Sequence, residues 1–497
     1  MTERVRFAPS PTGPLHIGGL RTALFNYLYA KKNNGVFILR IEDTDQKRKI
    51  EDSEEYIFDS LEWAGISPDE SVKKPGGHGP YRQSERNDIY KKYINELLEK
   101  KGAYYAFDTA DVLTKAREID EKEKGAFKYN YENRSSFENS LSLSKEETEK
   151  RINEGVPYVI RLWVNPNEEI IGEDEIRNTI RVNSNELEDK VLVKADGTPT
   201  YHLANVIDDH CMEITTVIRG EEWLPSLPIH VLLYEKFRWE KPKFVHLPLI
   251  LNPSGKGKLS KRDGDKNGYP VFPIRWKDEF EGYKEKGFLP AAHLNYIAQL
   301  GWSSDAEDEV MNLDEIVKEF SLANVQKGGA RFDYEKAKWI NQQHIRRLDR
   351  ENLINIIKGK KKDLEKTYGT NEILEIADLI QERIVLLEDI ESLCDMFLEA
   401  PKKYDDKVVR KLEKHDLGDL INKIEKLVED VETSQLKDAI FKFCKEKNMG
   451  MGIVMQTLRM AVVGNLSGPD IVEVIKVLGK KSTLERLKKL REFNQKN

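Results

Sequence analysis

Residues 9–14 read Pro-Ser-Pro-Thr-Gly-Pro. Proline lacks an N–H and fixes φ, so a stretch this dense in proline enters neither a β-ladder nor a helix interior and must be a loop. What flanks it is regular. Val5-Arg6-Phe7-Ala8 reads as a short strand. Leu20, Ala23, Leu24, Tyr27 and Leu28 follow the i, i+3, i+4, i+7, i+8 stripe of an amphipathic helix. Gly35 ends that unit, and Val36 to Ile41 is a nearly continuous apolar run, as a strand covered on both faces would be. Residues 5–41 therefore predict a β-loop-α-β unit with parallel strands and a right-handed crossover. In such a domain ligands gather at the carboxyl ends of the strands.

The β/α grammar fades after Arg86, where a charged helical stretch to Lys101 leads into a segment rich in Glu, Lys, Asn and Ser. It returns with Val191-Leu192-Val193, a turn at Asp196-Gly197, a strand over Ile214–Ile218, a helix through Leu227, His230, Val231 and Tyr234, and a strand over Phe244–Leu251. One parallel-sheet domain split by an insertion accounts for this: residues 1–85 and 191–264 form the two halves, and 86–190 the inserted domain. From about 335 the patterns are almost all helical, as in Leu374-Ala377-Leu379-Ile380-Ile384-Leu387 and Ile471-Val474-Ile475-Leu478, so a separate all-α region is expected.

The 497 residues carry 80 Lys and Arg against 87 Asp and Glu, a net charge of −7; 39% apolar and 34% charged residues make a composition that excludes collagen-like and wholly disordered chains. No apolar run reaches the ~18 residues of a membrane span. The start, Met-Thr-Glu-Arg-Val-Arg, has no following apolar segment, so no secretory signal and no membrane partner are expected. Cys211, Cys394 and Cys444 lie too far apart for a disulfide framework or a paired zinc spacing, which fits a reducing, cytoplasmic setting. The negative total does not exclude nucleic acid, because local patches bind phosphate.

Four pieces fall at expected strand ends. In Pro9 to Gly19 a glycine-bearing loop runs into a helix; free N–H groups and the dipole there suit an anion, with His16 as a further donor and Gly18-Gly19 allowing close approach. A helix cap and a plain turn would read the same. Lys256-Gly257-Lys258-Leu259-Ser260-Lys261-Arg262 is a basic, glycine-flanked loop, phosphate-seeking or simply exposed, and not a Walker loop. Glu42-Asp43-Thr44-Asp45 offers carboxylates for an amine or a metal, or a solvated helix cap. Tyr201 and Asn205, four apart, share a helix face, and Arg219 follows the strand 214–218.

Together these pieces resemble the class I aminoacyl-tRNA synthetases. His16-Ile17-Gly18-Gly19 is similar to the class motif His-Ile-Gly-His, and Lys258-Leu259-Ser260-Lys261-Arg262 to Lys-Met-Ser-Lys-Ser. Within the class, Arg6-Phe7-Ala8-Pro9-Ser10-Pro11-Thr12-Gly13, Arg40-Ile41-Glu42-Asp43-Thr44-Asp45, Gly79 to Ser84, Tyr201 to His210, Ile218 to Leu224 and Gln456-Thr457-Leu458-Arg459 resemble the bacterial glutamyl-tRNA synthetases, over essentially the whole chain. Gly19 replaces the motif's second histidine, which moves one phosphate donor from side chain to backbone. A glutamyl-queuosine synthetase would lack the helices after 335. A glutaminyl enzyme suits the Arg6/Arg219 pair and the helical C-terminal half less well.

The resemblance implies a Rossmann-like α/β catalytic domain, an α/β connective insertion that positions the tRNA acceptor end, a stem-contact region over 265–335, and an all-α anticodon-binding region over 336–497. It implies that glutamate's α-carboxylate attacks the α-phosphorus of ATP, that the adenylate is passed to the terminal adenosine of tRNA, and that activation depends on bound tRNA. His16, Lys258 and Lys261 would be catalytic. ATP would meet Pro9, Thr12, Gly13, His16, Gly18, Gly19, Glu222, Trp223, Leu259, Ser260 and Lys261. Glutamate would meet Arg6, Ala8, Ser10, Glu42, Tyr201, Asn205 and Arg219, with Arg6, Tyr201 and Asn205 on the side-chain carboxylate, Glu42 on the ammonium and Arg219 on the α-carboxylate. Mg²⁺ would accompany ATP. No cysteine lies near Gly102–Phe107, so no structural zinc is expected; nor is an editing domain, and the enzyme is expected to be a monomer. Asp265–Trp276 has no evident role.

Overall fold

The computed structural model describes residues 2–124, 126–405, 409–410 and 416–496. The chain divides into two compact units, Met1–Tyr283 with His293–Asp333, and Lys284–Ala292 with Tyr334–Asn497.

The first unit begins with the expected parallel motif. Strand β1 (Arg4–Phe7) pairs in parallel with β2 (Val36–Leu39), and α1 (Ile17–Lys32) connects them. Gly35 is required by close approach: a Cβ there would lie 2.3 Å from the carbonyl oxygen of Glu3, which accepts from the Val36 N–H at 2.8 Å. The pairing runs past the strands, with Arg40 N–H donating to Phe7 O and Glu42 N–H to Pro9 O, both at 3.0 Å, and so brings Glu42 beside the proline loop.

Helices α2 (Ser53–Ala64) and α3 (Asn87–Glu99) follow. An antiparallel sheet is then built from β3 (Ala103–Ala106), β4 (Val159–Leu162) and, beyond α4 (Ala110–Lys124), α5 (Lys145–Asn153) and the hairpin β5 (Glu169–Asp174)–β6 (Asn178–Asn183), from β7 (Val191–Val193) in the order β3-β4-β7. Helix α6 (Tyr201–Cys211), strand β8 (Thr216–Gly220), helix α7 (Leu227–Phe237) and strand β9 (Lys243–Leu247) complete the α/β core. The second sheet has the order β6-β5-β9-β8, parallel at β8/β9 and β5/β9. Thr215 N–H donates to Arg4 O at 2.9 Å, joining the approach to β8 to β1.

Two elements pair across the expected boundaries. β7 opens the expected returning half, 191–264, and pairs as the third strand of the antiparallel sheet β3-β4-β7. The hairpin β5–β6 falls inside the expected insertion, 86–190, yet extends the catalytic sheet through Asp174↔Phe244. Runs of three to six residues announce a strand, not its partner, because pairing is long-range. One continuous core, from Ile38 and Tyr90 through Leu162, Leu192 and Leu203 to Val217 and Phe244, spans both parts.

The second unit is helical and has its own core, including Ile345, Ile376, Ile421, Leu458, Ile475 and Leu487. Its 370–381 helix stops at Gln381, short of the expected Ile384 and Leu387. In the basic run Lys480, Lys481, Arg486, Lys488, Lys489 and Arg491, Arg486 is buried, donating to the carbonyls of Met396 and Val462, and Arg491 is paired with Glu425, so both hold the fold together. No helix among the described residues is long and apolar enough to cross a membrane.

Candidate active site

The carboxyl ends of β1, β2 and β8, the start of α1 and α6, and the basic loop after β10 (Ile250–Leu251) enclose a cleft of about 600 Å³. Its wall brings together Arg6, Ala8, Pro9, Ser10, His16, Gly18, Gly19, Glu42, Tyr201, Asn205, Arg219, Glu222, Trp223, Lys258, Leu259, Ser260 and Lys261. Of the residues expected at the site, Thr12 lines a small adjoining pocket with Asp43 and Asp45 instead, and Gly13 lines neither.

The α1 end of the cleft differs from the expected nest of free N–H groups. Ile17 N–H donates to Val271 O at 3.0 Å, Gly18 N–H to His16 Nδ1 at 3.2 Å, and Gly19 N–H to His16 O at 2.8 Å. The available donor is His16 itself. Burial first, then the charges of Lys258 and Lys261, push its pKa down to about 4. The neutral ring accepts at Nδ1, so its proton sits on Nε2, a buried atom with no hydrogen-bond partner among the described residues. Gly19 has a packing reason: a Cβ there would lie 2.5 Å from Leu15 Cδ1.

The basic loop is ordered. Leu251 bridges Lys258, Leu259 N–H donates to Ile250 O at 2.8 Å, and Ser260 caps α8 (Lys261–Asn267) in a capping box with Asp263. Lys258 Nζ is 3.1 Å from Glu222. Lys261 has no carboxylate partner among the described residues; its ammonium lies 5.3 Å over Phe272 and 5.7 Å over Phe280. The unassigned stretch 265–276 thus touches both class motifs, through Val271 O on Ile17 and Phe272 against Lys261.

Three buried arginines line the cleft; Arg21 donates to the carbonyls of Leu300 and Pro248, and the other two differ in their company. Arg6 is ion-paired through Nε and Nη2 with Asp209, at 2.9 and 3.3 Å. Arg40 joins the same carboxylate at 2.7 Å and donates to Glu42 Oε1 at 3.0 Å, where Asn205 also donates. Burial raises the Glu42 carboxyl, with Arg40 and Arg6 pulling it back. Arg219 has no carboxylate within 4 Å among the described residues. Its Nε donates to His246 Nε2 at 3.0 Å and its Nη1 to Tyr201 Oη at 3.0 Å, with His230 Nδ1 at 3.3 Å. Sequence reasoning missed Asp209 and the histidines. Asp209 had a signal, since Tyr201, Asn205 and Asp209 follow one helix face at i, i+4 and i+8; His246 had none.

The acid response of this region has a definite sign. Burial is the leading cause that lowers His16 and His202 to about 4, His293 to about 3, and His230 and His246 below the ordinary value. The unfolded chain therefore binds more protons between pH 6.5 and about 4, and stability present above pH 6.5 is lost as pH falls through that window. Glu42 and Asp189, both raised mainly by burial, oppose this but are two groups against five. The urea midpoint is expected to be lower at pH 5 than at pH 7.5; an equal or higher midpoint at pH 5 would contradict the assignment.

The second unit holds a cavity of about 820 Å³ lined by Arg383, Ser392, Lys402, Asn465 and Ser467 among others. Next to Gly468, which lines it, Arg459 donates through Nη2 to Pro469 O, while its buried Nη1 has no hydrogen-bond partner among the described residues. Among the described residues no group of three His, Cys, Asp or Glu could hold a metal ion.

Comparison with known proteins decides the family. Residues 3–339 match the catalytic domain of class I tRNA synthetases (E and Q), and residues 342–491 an anticodon binding domain. A glutamate–tRNA ligase of Flavobacterium johnsoniae is 48% identical over 98% of both chains, and one of Christiangramia forsetii 49% identical over 98% of both. The chain belongs to the glutamate–tRNA ligases. A crystal structure of a glutamate tRNA ligase from Elizabethkingia meningosepticum in complex with its amino acid has a TM-score of 0.95 at 47% identity, covering 99% of both chains. A glutamate-tRNA synthetase structure from Elizabethkingia anophelis has a TM-score of 0.91 at 47% identity, covering 99% of this chain and 100% of the other. The enzyme activates glutamate with ATP and transfers it to tRNA(Glu).

Proposed function

We propose that the 600 Å³ cleft is where glutamate and ATP meet, and that its side chains act by alignment and charge without covalent help. The supporting observation is that Arg6, His16, Glu42, Arg219 and Lys261 all line this one cleft. A carboxylate is already a nucleophile at neutral pH, so attack on the α-phosphorus needs no base; it needs positioning and neutralisation of phosphate charge. Neutral His16 donates from Nε2 to a phosphate oxygen. Lys261 supplies a full charge from the loop, because its present partners are aromatic faces that a triphosphate can outcompete. Lys258 first has to leave Glu222.

For glutamate, the company each arginine keeps argues for exchanging the roles read from sequence. Arg6 is balanced by Asp209, whereas Arg219 is a buried cation facing only neutral acceptors. Arg219 with Tyr201 takes the side-chain carboxylate, and the remaining Nη1 of Arg6 faces the α-carboxylate. Tyr201 accepts from Arg219, so its own proton points onward and these two side chains offer donors only. An amide NH₂ would meet donors, which rejects glutamine without editing. Glu42 Oε2, left free by Arg40 and Asn205, receives the ammonium. Mg²⁺ supplies charge neutralisation when it binds with ATP. The cleft's carboxylates do not fit a protein cage for it, since Glu42 and Glu222 are engaged by Arg40 and Lys258; phosphates and water hold the ion.

The helical unit reads the anticodon, with the Nη1 of Arg459, buried and partnerless among the described residues, beside a nucleotide-sized cavity as the supporting feature. The insertion holds the acceptor end. The enzyme works as a monomer in the cytoplasm; the free cysteines suit a reducing compartment. The test is Lys261→Ala in glutamate-dependent pyrophosphate exchange with tRNA present. A rate loss of ~10²–10³ is expected, with a much smaller change in the KM for glutamate. Normal exchange would refute the role of Lys261.

A further inference from the structure

The neutral surroundings of Arg219 require an explanation of their own. A buried guanidinium is normally matched by a carboxylate, as Arg6 is by Asp209, Arg40 by Asp209 and Glu42, and Arg86 by Asp208; buried Arg21 instead donates to the main-chain carbonyls of Leu300 and Pro248, whereas Arg219 is met mainly by side chains. The β8/β9 register sets Arg219 opposite His246. Asp174, at the end of β5, accepts from both His246 N–H at 3.0 Å and His246 Nδ1 at 2.7 Å. Its other oxygen accepts from the N–H groups of Ile176 and Arg177.

We propose that Asp174 and His246 are positioning residues for glutamate recognition, fixing the Arg219 guanidinium in register with the cleft while leaving its charge uncompensated. The inference rests on the reading that Arg219 binds a glutamate carboxylate. The ring nitrogen facing Asp174 must be the donor, because an ionised carboxylate only accepts. That leaves Nε2 of the neutral ring bare, and it accepts from Arg219 Nε. His230 repeats the logic on the adjacent nitrogen. Its Nδ1 faces Arg219 Nη1, so its proton sits on Nε2 and points at His202 Nδ1, 3.3 Å away. Each histidine thus presents a lone pair where most buried arginines meet a carboxylate. The guanidinium is oriented by four neutral contacts, His246, Tyr201, His230 and the carbonyl of Trp223, which accepts from Nη2 at 3.4 Å, and its net charge is reserved for the ligand. Asp174 stands one residue removed, so its charge selects the ring tautomer without forming an ion pair with Arg219. The residue that sets the tautomer comes from the β5–β6 hairpin, and the residues it serves come from β8 and β9.

The experiment is pyrophosphate exchange with tRNA present, reading KM for glutamate and for ATP separately in three variants. His246→Leu removes the acceptor and strands a buried N–H of Arg219. It is expected to raise the glutamate KM about ten- to hundredfold, with the ATP KM within about twofold. His246→Gln, whose Oε1 can accept near the position of Nε2, is expected to recover the glutamate KM to within a few-fold of the parent. Asp174→Asn releases the tautomer choice and is expected to raise the glutamate KM without moving that for ATP. Should His246→Leu fail to fold, the Asp174→Asn and His246→Gln pair decides. An unchanged glutamate KM in the asparagine variant, or equal rises for glutamate and ATP in any folded variant, overturns the proposal. Failure of Arg219→Ala to weaken glutamate binding would instead sink the reading of Arg219 itself, so the two failures are distinguishable.

Discussion

Arg219→Ala is expected to lower kcat/KM for glutamate in tRNA-dependent pyrophosphate exchange by about 10²- to 10³-fold, while the unliganded protein melts no lower than the parent. The first part follows from what the side chain is for. Truncating one partner of a buried, hydrogen-bonded charge pair costs ~2–5 kcal/mol, and each ~1.4 kcal/mol is tenfold. The second part follows from what it lacks. Arg219 is buried with no carboxylate within 4 Å among the described residues, so in the free enzyme it bears a desolvation cost that no ion pair offsets. Alanine removes the charge and that cost together. The pairing of lost affinity with undiminished stability separates a ligand-binding arginine from a structural one. Glutamate should raise the melting temperature of the parent by mass action and leave that of the variant unmoved. A variant that melts well below the parent would mean that Arg219 is a fold contact, and one that keeps its glutamate KM would remove it from the site.

The residues that position the chemistry were legible in the sequence to different degrees. The β1–α1–β2 unit could be read because its signals are local: prolines that forbid regular structure, a helical stripe, and an apolar run. From it followed the strand ends and hence the neighbourhood of Arg6, His16 and Glu42. What could not be read was pairing. Nothing local in Val191–Val193 says that it completes the inserted sheet, and nothing in Asp174 says that it will hold a histidine 72 positions away. The same limit applies to charge. Arg6 and Arg219 look alike as strand-end cations, and only the fold reveals that one is already neutralised. The first turn of α1 shows a third kind of miss. Its N–H groups were expected to face an anion, but a carbonyl from residue 271 takes one of them, and tertiary contact overrides the local expectation.

Asp209→Ala is expected to produce the opposite signature, a destabilisation of ~3–5 kcal/mol with loss of activity following from it. Three arginines, Arg6, Arg40 and Arg86, and three carboxylates, Glu42, Asp208 and Asp209, form a buried network beneath the cleft with its charges balanced. Against the cost of burial, Arg6 and Arg40 hold the Asp209 carboxyl below the usual range, so it is ionised at neutral pH. Removing it leaves two guanidiniums sharing too little negative charge, and an uncompensated buried charge is among the costliest defects a core can carry. The melting temperature should fall by on the order of 10 °C. Replacing Arg6 as well, in Arg6→Leu/Asp209→Ala, leaves two arginines against two carboxylates, and the double variant should be more stable than Asp209→Ala alone. Activity should stay low, because the cation facing the α-carboxylate is gone. If Asp209→Ala instead melts like the parent, the network is not what holds Arg6. The contrast between a matched arginine under the cleft and an unmatched one facing it would then lose its physical basis.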